Sequence, residues 1–251
     1  MSLPEIAPRE TWLAARKELL SREKELTRLR DELNADRRRL PMVRIEKDYR
    51  FEGPGGEATL ADLFEGRRQL VVQHFMFDPT WDDGCSSCSA GADELSDGLL
   101  RHLHMRDTSF VAISRAPFAK IEDYRRRMGW TFPWYSSYGS DFNYDFHTPI
   151  DESVAPLEIN YRSRAEIEAL GRESMAWMLT SDQPMEMPGE SCFLRDGDAV
   201  FHTYSAFGRG SEALGGAYAW LDLTALGRQE AWEEPKGRAD LARAAQPDFA
   251  T

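Results

Sequence analysis

Cys85 and Cys88 stand in the run Gly84-Cys85-Ser86-Ser87-Cys88. Two thiols at this spacing lie one helical turn apart. They can close to a disulfide, exchange one with another molecule, or supply half of a tetrahedral zinc site. For zinc the other half is missing. There is no second C-x-x-C and no pair of histidines at zinc spacing, and His102 and His104 sit two apart on a predicted helix, pointing in different directions. Cys192 is isolated in a strand-like run and reads as a small buried hydrophobe without chemistry. With 3 cysteines the chain has too few, and an odd number, for a disulfide framework. Dithiol redox chemistry, with Cys85 attacking and Cys88 resolving, is the favoured reading, and it calls for no metal and no cofactor. Cys85 is assigned the attack because it sits at the loop edge just after Gly84, whereas Cys88 lies a turn inside.

The elements around the pair fit that reading. Gln69 to Phe77 reads as a central strand ended by Asp78-Pro79, and Ala92 to Met105 as a helix. A thiol between a buried strand and a helix meets unpaired backbone N–H groups and the positive helix end, which favour the thiolate. The Ser86 and Ser87 hydroxyls add to this, while Asp82 and Asp83 oppose it by repulsion. His74, on the strand leading to the site, is a candidate source of positive charge, set against the commoner packed core histidine.

Around this unit, Val43-Arg44-Ile45-Glu46 alternates as a strand that Tyr49 to Phe51 continues, and Gly53-Pro54-Gly55-Gly56 is a turn. Thr59 with Asp62 opens a short helix in capping-box fashion. Thr108 to Ser114 is a second buried strand, and Phe118 to Met128 a helix opened by Pro117. Alternating strands and helices predict β-α-β units and a parallel core. Trp130 to Phe146 has neither strand nor helix period and reads as a structured loop, from which Trp134 and Tyr135 are candidates to line a substrate cleft. Residues 150–188 read as an insertion with a polar helix candidate over Arg164 to Arg172. Ser191 to Tyr204 is a β-hairpin turning at Asp196-Gly197. A final helix is expected over about 211–226, then a polar tail.

Arg9 to Arg39 holds neither Gly nor Pro, between Pro8 and Pro41, and predicts a helix of about 46 Å. Trp12, Leu19, Leu26, Leu33 and Leu40 recur every seven residues, but three residues on from the first four come Ala15, Arg22, Leu29 and Asp36, so only half of a coiled-coil seam is present. The stripe either lies across the chain's own body or clasps a second subunit. The domain reading is a helical arm over 1–41, an α/β domain over 42–227 and a tail over 228–251. A net charge of −12 disfavours nucleic acid and anionic membranes as partners, both of which need a concentrated basic face. The longest apolar run, Leu70 to Phe77, is too short to span a bilayer. Pro4, Glu5, Pro8, Arg9 and Glu10 stand where an export signal needs an apolar stretch, which places the protein in the cytoplasm.

The short Thr59 to Phe64 helix, the apolar strand, the C-x-x-C at a helix start and the late hairpin through Phe193-Leu194-Arg195-Asp196-Gly197 together resemble the thioredoxin and peroxiredoxin superfamily. Phe75-Met76-Phe77-Asp78-Pro79, the Gly84 to Cys88 motif and the run Trp134 to Asn143 are similar, more closely, to a bacterial family of uncharacterised thioredoxin-like proteins described as dithiol-disulfide oxidoreductases. The likeness takes in the N-terminal helix and Trp232-Glu233-Glu234-Pro235. It implies a thioredoxin-like central sheet flanked by helices, and a thiol or disulfide substrate, protein or small molecule. Trp81 is the counterpart of the tryptophan that thioredoxins carry directly before the first cysteine, displaced here by Asp82, Asp83 and Gly84. Ser87 stands where a proline is usual, and Pro188 is the nearest counterpart of the cis-proline that faces the disulfide. Asp82 occupies the threonine position of peroxiredoxins, which argues against a dedicated peroxidase, and a peroxiredoxin-like thiol peroxidase stands as an alternative reading. A binding or scaffold module with metal-holding or inert cysteines is the rival from another class.

Overall fold

The computed structural model describes residues 4–171, 173–211, 216, 223 and 224. They fall in two units, one containing residues 4–41 and the other the body Met42–Gly216. In the first, α1 (Arg9–Arg37) starts behind Pro8, whose fixed φ suits a helix entry, and runs about 44 Å. No residue of α1 is buried, and the heptad positions Trp12, Leu19, Leu26, Leu33 and Leu40 are 47% to 60% exposed.

Along the body come β1 (Val43–Arg44), β2 (Arg50–Gly53), β3 (Gly56–Thr59), β4 (Gln69–His74), α2 (Ser86–Asp93), α3 (Asp97–His104), β5 (Thr108–Ser114), α4 (Phe118–Met128), β6 (Trp134–Ser136) and α5 (Phe142–Asp145). Residues 149–186 carry β7 (Pro149–Ile150), β8 (Glu158–Ile159), β9 (Arg162–Ser163), α6 (Arg164–Ala169), α7 (Glu173–Thr180) and β10 (Met185–Glu186), and β11 (Gly189–Asp196) and β12 (Ala199–Phe207) follow. One sheet runs in the order β1-β12-β11-β4-β5-β6-β2-β3. Its middle strands β4, β5 and β6 are parallel, and the β11–β12 hairpin pairs antiparallel on the other side of β4. A parallel β-α-β core with an antiparallel hairpin against the strand that precedes the dithiol is the thioredoxin-like arrangement.

Alternation along the strands gives the sheet two dressed faces. Leu70, Val72, Val111, Ile113 and Phe193 point to one, packed with Phe51, Leu63, Phe64 and Phe142. Phe75, Phe110 and Ala112 point to the other, packed with Cys88, Ala92, Ile121, Tyr124, Phe132 and Trp134. The inserted residues hold their own small core of Ile150, Leu157, Ile159, Ile167 and Met187.

The capping exchange at Thr59 and Asp62 forms in both directions, and α4 has the expected bounds, closed by Gly129 at φ 71°. Several expectations are corrected. Val43 to Phe51 is two strands at opposite parts of the sheet, since β1 pairs with β12 while β2 pairs with β3 and β6. The helix expected over Ala92 to Met105 starts earlier, at Ser86, and breaks before Ser96, whose hydroxyl accepts from Leu99 N–H and caps α3. The aromatic stretch is not a loop: β6 adds to the parallel core and α5 follows it. Its side chains are sorted by tertiary packing, so no local period appears. In the insertion α6 is capped by Ser163 with Glu166 and ends at Ala169, and α7 follows. The helix expected over 211–226 and the tail from 228 lie outside the described residues, apart from Ser211, Gly216, Leu223 and Thr224.

Candidate dithiol site

Cys85 caps the N-terminus of α2, and Cys88 sits in its first turn. The loop into the helix is anchored by Cys85 N–H donating to Met76 O at 3.0 Å. Gly84 is required by close approach: a Cβ there would stand 2.7 Å from the Phe75 ring. Behind the turn, Ser89 Oγ donates to Cys85 O at 2.9 Å and lies 2.8 Å from Tyr124 Oη, which ties α2 to α4.

Both cysteines are free thiols, Cys85 half-buried and Cys88 buried. The Cys85 pKa is lowered to about 6, first by the hydrogen bond from the Cys88 thiol and then by those from the Cys88 and Ser87 backbone N–H groups and the Ser87 hydroxyl, against the opposing effect of burial. Cys88 is pushed well above the ordinary thiol range by the hydrogen bond it gives to Cys85, by burial and by repulsion from the Cys85 thiolate. The two thiols are thus polarised in opposite senses, one toward attack and one toward holding its proton. Asp83 is drawn away to an ion pair with Arg127, whose guanidinium also lies 4.8 Å from the Tyr124 ring centroid.

The other sequence-named residues divide. Ser86 is the first residue of α2 and Ser87 one of the hydrogen-bond donors to Cys85. Trp81 is partly exposed on the loop before the motif, where its carbonyl accepts from Lys120 Nζ at 2.8 Å. His74 cannot supply positive charge. It points to the sheet face away from the dithiol, is 1% exposed against the Phe142 and Phe146 rings, and burial drives its pKa down to about 3. Its Nε2 lies 2.7 Å from Ser191 Oγ, the start of a buried chain through Ser205 to His202. Trp134 lines no cleft. It is 0% exposed, packed at tilted angles among Phe75, Trp130 and Phe132, and its Nε1–H donates to Ser114 Oγ. Tyr135 points to the opposite face from Trp134 and packs over Gly53, where a Cβ would meet its ring at 2.3 Å. Pro188 directly precedes β11, but the cis peptide of this region is Gln183–Pro184, so the cis-proline position is not filled by Pro188.

Sequence reasoning missed two groups. Arg115 is clamped by Asp78 at 2.5 Å, Glu186 at 2.6 Å and Tyr144 Oη at 2.9 Å, with the guanidinium and the two carboxylates nearly buried. This guanidinium joins the loop leading to the dithiol with the segment leading to β11. Glu190 on β11 stands opposite Gln73 on β4, on the dithiol's face of the sheet. Gln73 was visible as the polar break in an apolar strand, the one signal available for this pair. Among the described residues no three His, Cys, Asp or Glu side chains come together as a metal-binding group, and no helix is long and apolar enough to cross a membrane.

The chain belongs to the family described as bacterial protein of unknown function (DUF899), whose model matches residues 1–244. No curated protein matches it. Among solved structures it is similar to a Cys-to-Ser mutant of Xylella fastidiosa PrxQ, at 13% identity and a TM-score of 0.40, over 66% of this chain and 85% of that one. It is also similar to Xanthomonas campestris peroxiredoxin Q, at 14% identity and a TM-score of 0.37, over 63% of this chain and 79% of the other. A protein-disulfide-isomerase candidate from Bacteroides thetaiotaomicron aligns at 21% identity and a TM-score of 0.32, over 57% of this chain and 94% of that one.

Proposed function

We propose that this member of the family is a thiol–disulfide oxidoreductase in which Cys85 is the attacking and Cys88 the resolving thiol. The observation that carries the reading is the opposite polarisation of two free thiols at one helix start, with Cys85 half-buried and lowered to about 6 and Cys88 buried and raised. An attacking thiol works best when it is accessible and partly ionised near ambient pH. The Cys85 thiolate attacks one sulfur of a substrate disulfide and the other leaves as a thiol. Cys88 then attacks Cys85 Sγ, closing the Cys85–Cys88 disulfide and releasing the second substrate thiol, so two electrons pass from the dithiol to the substrate. The substrate is a protein or small-molecule disulfide, and a reducing compartment such as the cytoplasm would return the enzyme to its dithiol form.

The test is asymmetric mutagenesis with a model disulfide. Cys85→Ser abolishes exchange, Cys88→Ser accumulates a mixed disulfide on Cys85, and Cys192→Ser changes little. Alkylation of Cys85 rises with pH through a midpoint near 6. A wild-type protein that forms no reversible Cys85–Cys88 disulfide would sink the reading.

A further inference from the structure

Cys88 must shed a proton before it can attack, and its burial away from water makes a nearby acceptor necessary. Glu190 and Gln73 face each other directly across β11 and β4, on the same side of the sheet as Phe75 and Cys88. Residues so opposed hold their Cβ atoms about 5 Å apart. Glu190 Oε2 and Gln73 Oε1 are both fully buried, and among the described residues neither has a hydrogen-bond partner. Buried acceptors without a donor are costly. One proton placed on Glu190 Oε2 turns it into a donor toward Gln73 Oε1 and satisfies both.

Resting on the dithiol reading, we propose that Glu190 is the proton acceptor for Cys88, with Gln73 receiving the hydrogen bond of the protonated carboxyl. The Glu190 charge acts on the Cys88 thiol, and burial raises Glu190 to about 7, against the Ser211 hydroxyl that favours its ionised form. The groups that share its surroundings are the Cys85 and Cys88 thiols on α2, the Gln73 amide on β4, Ser211, and along the same face Cys192 on β11 and Tyr204 on β12. Among the described residues no Lys or Arg pairs with it. In the resolving step the Glu190 carboxylate takes the proton from Cys88 Sγ, and the resulting thiolate attacks Cys85 Sγ. The bond between Cys85 and the substrate sulfur breaks, and that sulfur leaves with the electron pair and is protonated by solvent.

The experiment uses the full chain carrying Cys192→Ser and the probe 5,5′-dithiobis(2-nitrobenzoate). The first thionitrobenzoate released reports Cys85 attack and the second reports Cys88. The second phase is expected to quicken with pH through about 7 and then level. Glu190→Gln, which keeps shape and hydrogen bonding but cannot take the proton, slows it at least about tenfold at neutral pH and removes the levelling, leaving the first phase unchanged. Glu190→Asp restores the levelling limb, and it decides alone if the glutamine variant does not fold. A second phase unchanged in Glu190→Gln, or a limb missing from Glu190→Asp, overturns the assignment. Absence of any second release from the parent protein would instead refute the dithiol reading itself.

Discussion

At Cys85 the same atoms that set helix geometry set reactivity, because the N–H groups left unpaired in the first turn converge on one sulfur. His74 shows the opposite use of a titratable side chain: desolvation holds it neutral inside a ring-lined pocket, and its hydrogen bonds serve the sheet. Its folded pKa lies below the unfolded value of 6.5, so its contribution is present above pH 6.5 and is lost as the pH falls toward about 3. The slope is about 1.4 kcal/mol per pH unit. Glu186 and Glu190, raised from 4.5 to about 7 by burial, act in the opposite sense and lose stability as the pH rises between those values. Denaturant titrations of wild type should therefore show this acid slope emerging below about pH 4.5. His74→Gln should flatten it by about 1.4 kcal/mol per unit there, and an unaltered slope would show that the histidine is not held neutral.

Among the elements, two glycines permit close approaches that a side chain would block. Gly84 lets the Phe75 ring sit under the turn, and Gly189 begins β11 where a Cβ would stand 2.5 Å from the Phe207 ring and 3.0 Å from Ala206 O. α1 is a different kind of element, without a buried residue and with its apolar stripe about half exposed. Stripes of this kind are uncommon on monomers, and a second copy of the chain is the proposed occupant. The full chain should then sediment as a dimer, and Leu19→Glu combined with Leu26→Glu as a monomer. Equal masses for the two proteins would rule out the clasp.

On the scale of the whole body, Arg115 holds three distant segments at the end of the parallel strands. It binds Asp78 after β4 and Glu186 in β10, and it follows β5 itself. The three side chains are 11%, 11% and 2% exposed, so the cluster is desolvated rather than a surface pairing. Removing the cation leaves two buried carboxylates facing each other. Arg115→Met is expected to cost about 3–5 kcal/mol in urea unfolding at neutral pH. A cost under about 1 kcal/mol would place this network among the weak surface pairs. Because Asp78 opens the loop that carries Cys85 and Glu186 leads into the strand that carries Glu190, the same variant should also slow thiol exchange.

The strand and the C-x-x-C at a helix start were legible in the residues alone, as were the Thr59–Asp62 capping exchange, the bounds of α4 and the Asp196-Gly197 hairpin, whereas the division into α2 and α3 was not. Each depends on side chains within a few positions of one another, and hydrophobic period, caps and turn residues report such neighbours directly. Whether Trp134 faced solvent or core, which face of the sheet His74 joined, and what Glu190 stood against were decided by tertiary structure. A shift of one residue in strand register moves every side chain to the other face. That register brings together partners as remote as His74 and Ser191, 117 positions apart. No local pattern in a single sequence records such a pairing, so the dithiol was visible from its neighbours while the buried carboxyl on its face of the sheet was not.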